Sequence, residues 1–228
     1  SSPVQIASGS WTNIAAGEDF SLAVSSTGQL FSWGKNNVGQ LGSSSIVNRS
    51  SPIQVGTSSW SLVSAGYSHA LATDSLGDLF AWGSNNVGQV GDGTIVNKSS
   101  PVLISNSSWT QISAAENTRK ALRSDYLLFA WGANDTGEIG DSTTNHRSSP
   151  VQIGNQWKKI ALGYGDAVGI NQNNQLFVWG NNYAGMSGKN TSIQYYSPVL
   201  LDANTWDDVA AGASHMVGIR NGDLYAWG

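Results

Sequence analysis

Every tryptophan and every proline in this chain falls on one periodic grid. Trp-Gly recurs at Trp33, Trp82, Trp131, Trp179 and Trp227, at steps of 49, 49, 48 and 48 residues. A second series, Trp11, Trp60, Trp109, Trp157 and Trp206, runs in step with it, as do Pro3, Pro52, Pro101, Pro150 and Pro198. These positions use all ten tryptophans and all five prolines. No change of composition interrupts the grid. The 228 residues are therefore predicted to form a single repeat array, with units at about 1–50, 51–99, 100–148, 149–196 and 197–228, rather than two independent domains.

Each unit holds four short strand candidates. The first follows the proline, as in Val4-Gln5-Ile6 and Ile53-Gln54-Val55; proline cannot donate a ladder hydrogen bond, which places this strand at a sheet edge. The second tapers from bulky to tiny, as in Trp11-Thr12-Asn13-Ile14-Ala15-Ala16-Gly17, and suits backbones converging on a crowded axis. The third, Phe20-Ser21-Leu22-Ala23-Val24 or His69-Ala70-Leu71-Ala72-Thr73, alternates large and small residues without charge, which implies burial on both faces. The fourth, Leu30-Phe31-Ser32-Trp33-Gly34 and its copies, is entered through turn glycines such as Gly28, Gly77 and Gly222, which suit positive φ. A polar linker then spans 18 residues from each Trp-Gly glycine to the next proline. Stacked units joined by equal linkers generate regular rotation. These features predict an all-β fold, a β-propeller array of four-stranded blades. One such sheet is marginal alone, so stability must come from blade-on-blade contact.

Composition fits many short strands joined by polar turns: 11% charged residues against a usual quarter, and 27 glycines. A net charge of −4 without basic runs argues against nucleic acid and anionic membranes as partners. No apolar run approaches the ~18 residues of a membrane-spanning helix. The absence of cysteine removes disulfides and thiolate metal sites. The chain starts inside the pattern at Ser1-Ser2-Pro3 and stops at Trp227-Gly228. It reads as a fragment of a longer array, with a closed five-bladed ring as the alternative.

The order Pro-x-x-Val/Ile, Ala-Ala-Gly-x-x-His, Gly-x-Leu-Phe-x-Trp-Gly, Asn-x-x-Gly-Gln-Leu-Gly resembles the repeats named after the regulator of chromosome condensation. The second unit carries it as Pro52, Ala65-Gly66, His69, Gly77, Leu79-Phe80, Trp82-Gly83, Asn85 and Gly88-Gln89-Val90-Gly91. The resemblance covers the whole chain. It implies a ring, usually of seven blades, and a role as a binding platform, as in a secreted β-lactamase inhibitor of the family. For the founding member it implies nucleotide exchange on a small GTPase, through an inserted β-hairpin wedge and acidic loops; the constant short linkers here carry no such insertion.

No Ser/His/Asp grouping, paired carboxylates or phosphate-cradling glycine loop can be assembled, so no catalytic residue, cofactor or metal site is predicted. The expected role is non-catalytic binding of a protein or glycan. Arg49, Lys98 and Arg147 share one linker position, with Tyr195 in the fourth copy; a rim of cations suits an anionic partner, and solubilising charge is the plainer reading. In the third unit Glu116-Asn117-Thr118-Arg119-Lys120 replaces Gly-x-x-His-x-Leu, and Lys120 stands where Leu22, Leu71, Val168 and Val217 stand. A lysine there is costly unless paired, and Glu116 or Asp125 is the expected partner. Arg119 and Lys120 are read either as a site facing the channel or a partner, or as local drift. Tyr183, Tyr195 and Tyr196 give the fourth linker aromatic character suited to sugar or protein recognition, or to edge packing. His69 and His215, at one repeat position, are expected to make structural hydrogen bonds between strands, and His146 to be solvated. Asp92 and Asp141 lack the dense alternation of a calcium loop. Low charge and abundant Asn, Ser, Thr and Gly suggest a bacterial surface or virion setting. The alternative is an intracellular regulator of a small GTPase.

Overall fold

The computed structural model describes residues 2–228 and is all-β. The first sheet is β1 (Trp11–Ala16), β2 (Phe20–Ser25), β3 (Leu30–Gly34) and β4 (Arg49–Gln54), antiparallel and paired in that order. The second repeats the plan with β5 (Trp60–Ala65), β6 (His69–Asp74), β7 (Leu79–Gly83) and β8 (Lys98–Ser105). The third uses β9 (Trp109–Ala115), β10 (Thr118–Arg123), β11 (Leu127–Gly132) and the start of β12 (Arg147–Leu162). The far end of β12 opens the fourth sheet, followed by β13 (Asp166–Asn171), β14 (Leu176–Gly180) and β15 (Tyr195–Asp202). A three-stranded sheet of β16 (Asp208–Ala211), β17 (Met216–Arg220) and β18 (Asp223–Trp227) follows. β12 runs through two sheets because Pro150 and Trp157 are 7 residues apart, where Pro52 and Trp60 are 8 apart.

Each proline-bearing strand pairs with the Trp-Gly strand before it: Ser32 lies opposite Ile53, and Ala81 opposite Val102. The proline therefore sits at an edge, as expected, but each blade takes its outer strand from the following repeat unit. The first proline segment has no preceding Trp-Gly strand in this sequence. Val4-Gln5-Ile6, expected as a strand, accordingly is not one, and Val4 and Ile6 are 80% and 60% exposed.

The alanine-rich strands are innermost and pack in succession, β1 on β5, β5 on β9, β9 on β12 and β12 on β16. Burial shows what each blade contributes to the next. Leu30, Leu79, Leu128 and Leu176 hold one repeat position and are fully buried, while Leu224 at the same position of the last sheet is 74% exposed. On the opposite face Val63, Ile160 and Val209 are buried and Ile14 of the first sheet is 76% exposed. The neighbouring blade supplies this burial, roughly 1.5–3 kcal/mol for each large aliphatic side chain. With both end faces open, the five sheets form an arc, not the closed five-bladed ring.

The large-small alternation of the third strand candidates now has a cause. Ala70 and Ala72 lie opposite Trp82 and Phe80 across the β6–β7 pair, so the small residues leave room for two aromatics on one face. Trp60 packs edge-on against Phe80, with ring centroids 5.2 Å apart. The Trp82 indole crosses to the previous blade, where its Nε1–H donates to the Gln40 carbonyl at 2.9 Å. Trp131 repeats this with Gln89 at 3.1 Å, and Trp227 with Met186 at 3.0 Å.

Trp82→Ala is expected to cost roughly 3–5 kcal/mol, the range for a large-to-small core change. Trp33→Ala, on the half-buried end face, should cost clearly less. Urea denaturation of both variants checks this; equal losses would show that the indole series does not act between blades.

Candidate binding face

The linkers and the turns that follow the innermost strands lie on one face, because the first linker residue donates its backbone N–H to the turn. Lys35 reaches Asp19 at 2.8 Å, Ser84 reaches Ser68 at 2.9 Å, Ala133 reaches Asn117 at 2.9 Å and Asn181 reaches Gly165 at 2.8 Å.

One buried asparagine per linker then fixes the loop. The Oδ1 atoms of Asn36, Asn85, Asn134 and Asn182 accept from the backbone N–H of Leu41, Val90, Ile139 and Ser187 at 2.8–3.0 Å. Their Nδ2 groups donate to carbonyls nine and eleven residues on, such as Thr94 and Val96 for Asn85. A buried amide with its donors and acceptor spent in this way holds a long polar loop rigid. Asn48 and Asn97 add an acceptor for the backbone N–H of Asn36 and Asn85, and His146 does the same for Asn134 through Nδ1 at 3.1 Å. His146 is exposed, as expected, and its Nδ1 serves as a structural acceptor as well.

The turns obey a size rule. A Cβ at Gly66 would lie 1.9 Å from the His69 ring, at Gly17 2.0 Å from Phe20, and at Gly163 2.3 Å from Asp166. The residue three places on folds back over the glycine. In the third unit Ala115, and not Glu116, stands at that place, and its side chain is accommodated because the overlying residue is the small Thr118. His69 makes no hydrogen bond with either ring nitrogen. Burial holds its pKa well below the ordinary value, so it is a neutral packing residue and not the expected hydrogen-bonded bridge. His215 is exposed on the open last sheet.

Of the sequence candidates, Lys98 and Arg147 are already paired within their own linkers, with Asp92 at 2.9 Å and Asp141 at 2.5 Å. Asp92 and Asp141 also accept from Thr94 and Thr143. Ser43 holds this place in the first linker, and Arg49 remains exposed. The expected rim of three cations is therefore one exposed arginine and two neutralised pairs. Tyr196 packs over Gly137 and Tyr195 against the third-to-fourth blade core, while Tyr183 is 77% exposed. Only Tyr183 and, at 44%, Tyr196 present substantial surface.

Arg119 and Lys120 are completely buried, so neither touches a partner directly. Arg119 lies opposite Trp131, with all three guanidinium nitrogens lacking an acceptor and the neutral His69 nearby. Lys120 points the other way. Its Nζ donates to the Glu138 carbonyl at 2.6 Å and lies over the Trp179 ring, 5.3 Å from the centroid. That carbonyl is the repeat equivalent of those that accept from Trp82 and Trp131, and Trp179 Nε1 is left without a partner. Neither expected partner serves Lys120: Asp125 pairs with Arg123, and Glu116 lies against Tyr164. The charges acting on Lys120 are Glu138 and Asp166.

Between the third and fourth sheets, at this face, is a cavity of about 90 Å³ whose lining includes Lys120, Glu138 and Asp166. It exists because Thr118 and Asp166 are small where Phe20 and His69 fill the space. Asp166 is 2% exposed and neither carboxylate oxygen has a hydrogen-bond partner. Burial raises its pKa to about 7 against the pull of Lys120, and burial lowers Lys120 to about 7 against the pull of Glu138 and Asp166. Around the inner mouth, one repeat position reads Glu18, Tyr67, Glu116, Tyr164. Glu18 N–H donates to the Tyr67 carbonyl at 3.2 Å, and Tyr67 N–H to the Glu116 carbonyl at 3.1 Å. The Glu18 and Glu116 carboxylates raise the pKa of the neighbouring Tyr67 and Tyr164 hydroxyls. The alternation was present in the sequence at a fixed grid position, but no motif marks it.

Between about pH 4 and pH 7 the folded chain keeps a proton on Asp166 that the unfolded chain has released. The Asp166 contribution to stability therefore falls as pH rises through that window. Asp166→Asn should gain stability relative to the parent progressively from pH 4 to pH 7, and level off above it. Denaturation midpoints at four pH values test this; a constant difference would mean that Asp166 titrates normally.

Comparison with known proteins fits this architecture. Two sequence models of the regulator of chromosome condensation (RCC1) repeat match, one at residues 27–73 and 77–118, the other at 4–40 and 60–89. A comparison with curated protein sequences returned no match. Human WBSCR16 superposes with a TM-score of 0.83 at 23% identity, over 96% of this chain and 60% of that one. Yeast RCC1 (Prp20), in complex with Kap60, gives 0.79 at 23% identity over 94% and 55%. Prp20p from Saccharomyces cerevisiae, described with its binding to Gsp1p and histones, gives 0.77 at 24% identity over 94% and 57%. The chain thus spans little more than half the length of these structures, and at such identities the likeness is one of fold. From the two repeat matches, the in-phase grid and the propeller arc, the chain belongs to the RCC1 repeat family.

Proposed function

We propose that this chain is a non-catalytic binding platform and that the linker face takes the partner. The supporting observation is a row of apolar side chains held out from rigid loops. Ile46 and Val47, Ile95 and Val96, and Ile193 occupy the ends of the first, second and fourth linkers, where the third carries Thr144 and Asn145, and are 57–66% exposed. The asparagine bonds that fix each loop end at these same residues or beside them, as at the Val47, Val96 and Ile193 carbonyls. Apolar groups displayed on pre-ordered loops lose little entropy on docking, and such exposure marks interaction surfaces. A protein partner suits these groups best. The amide-rich composition leaves a glycan as the second choice and is the support for a bacterial surface or virion setting.

A small-GTPase regulator is the other family reading. Its support is the likeness to Prp20p, a protein described with binding to Gsp1p. Against it, all four linkers have the same 18-residue span, with no inserted element to act on a nucleotide site.

The quintuple variant Ile46→Ser, Val47→Ser, Ile95→Ser, Val96→Ser, Ile193→Ser removes the row without touching the buried asparagines. Screened on protein and glycan arrays, it is expected to lose the ligands retained by the parent, at an unchanged denaturation midpoint. A ligand held equally by both would place binding elsewhere.

A further inference from the structure

We infer that the cavity between the third and fourth blades is a recess for a primary ammonium group, the tip of a lysine side chain on a docked protein. The inference rests on the binding-platform reading and names its anchor point.

Three observations support it. The first is unspent hydrogen-bonding capacity. Asp166 is 2% exposed, lines the cavity and offers two carboxylate oxygens that no protein donor reaches. A buried carboxylate without donors is costly, and native structures rarely keep one idle. The second is charge. Glu116, Asp135 and Glu138 line the same space, with Lys120 the single cation among the described residues. The Lys120 ammonium is committed to the Glu138 carbonyl and the Trp179 ring. Glu138 Oε2 is engaged by Thr136. What remains facing the cavity is predominantly acceptor, so the complementary ligand is a donor carrying positive charge. The third is an aromatic ring beside the lining. Tyr164, 56% exposed, follows the lining residue Gly163 in the chain and lies against the lining residue Glu116, so a cation approaching Glu116 meets an aromatic group.

Size selects the group. A volume of about 90 Å³ corresponds to about three waters at ~30 Å³ each. It admits an ammonium with residual water, but not a bulky quaternary amine. That volume suits a side-chain tip delivered by a protein resting on the linker face. The departures of the third and fourth units are then connected: Ala115 with Thr118 and Gly163 with Asp166 open the space, and Lys120 lines it.

The test uses the whole 228-residue chain at pH 8, above the Asp166 pKa of about 7, with its aspartate carboxyl carbons labelled, and follows the Asp166 signal by NMR. The probes are methylammonium, tetramethylammonium, the peptide Gly-Gly-Lys-Gly-Gly and its Nε-acetylated form, all at fixed ionic strength. Saturable shifts with methylammonium and the lysine peptide, absent with the acetylated peptide and tetramethylammonium, are expected. A Tyr164→Ala variant, which removes the ring beside Glu116 and leaves Asp166 in place, should bind the lysine peptide more weakly. Asp166→Asn, followed through the Trp179 indole signal, should weaken methylammonium binding about tenfold or more, the value of one charge-assisted bond. Non-saturating drift equal to that given by sodium chloride, or equal binding by Asp166→Asn, would show that the cavity holds water only. That failure would leave the platform reading standing, since the apolar row tests it separately.

Discussion

Blade-on-blade burial is the interaction on which the rest of this molecule depends. Residues that are fully buried in the middle of the arc, such as Leu79 and Leu128, become surface at its end, as Leu224 shows. Each sheet is a hydrophobic layer only in the presence of its neighbour, and the Trp-Gly series is the part that crosses the gap. The Trp82 indole fills space left by Ala70 and Ala72 and donates to a linker carbonyl of the blade before it. Packing and hydrogen bonding thus use the same side chain, which ties the linker face to the core. Once the carbonyl and the asparagine Oδ1 are both engaged, the linker has little freedom left.

That coupling explains why chemistry collects between the third and fourth blades. There a lysine has taken the carbonyl that the indole uses elsewhere. The buried charge brings Asp166 and Glu138 into its field. A local departure in one repeat becomes a polar cavity because the blades on both sides are rigid and cannot collapse to fill it. The same stiffness makes the linker tips a fixed array and not a mobile fringe. On the proposed reading as a binding platform, such stiffness gives affinity through pre-organisation, and one buried charged anchor adds specificity of register.

Much of the fold was legible in the sequence, because tryptophan and proline have strong positional meaning and were confined to one grid. Edge placement of Pro52 and axial placement of Ala65 followed from chemistry local to each strand. Which repeat lends the outer strand was not legible, since a periodic pattern looks the same wherever the unit is cut; only the Ser32–Ile53 pairing decides it. The candidate site was legible in part. Lys120 announced itself as a charge at a core position. Its partners did not, because Glu138 and Asp166 reach it through the packing of blades and not through neighbouring sequence. The cations grouped by their shared linker position fared worse, since Lys98 and Arg147 had partners six residues back in their own linkers. The equivalence of Ala115 with Gly66 needed the clash with the following side chain to be seen.

Hydrogen exchange at the indole N–H groups tests the central claim most directly, because each tryptophan of the Trp-Gly series reports its own gap. If the indoles lock successive blades together, Trp82 and Trp131 Nε1–H should exchange only with global unfolding. Trp33, on the open end face, should exchange orders of magnitude faster. Trp179, buried but without an acceptor, should fall between them. Equal protection of Trp33 and Trp82 would contradict the account, for it would mean that each blade secures its own tryptophan and that the neighbouring blade is not what holds the array together.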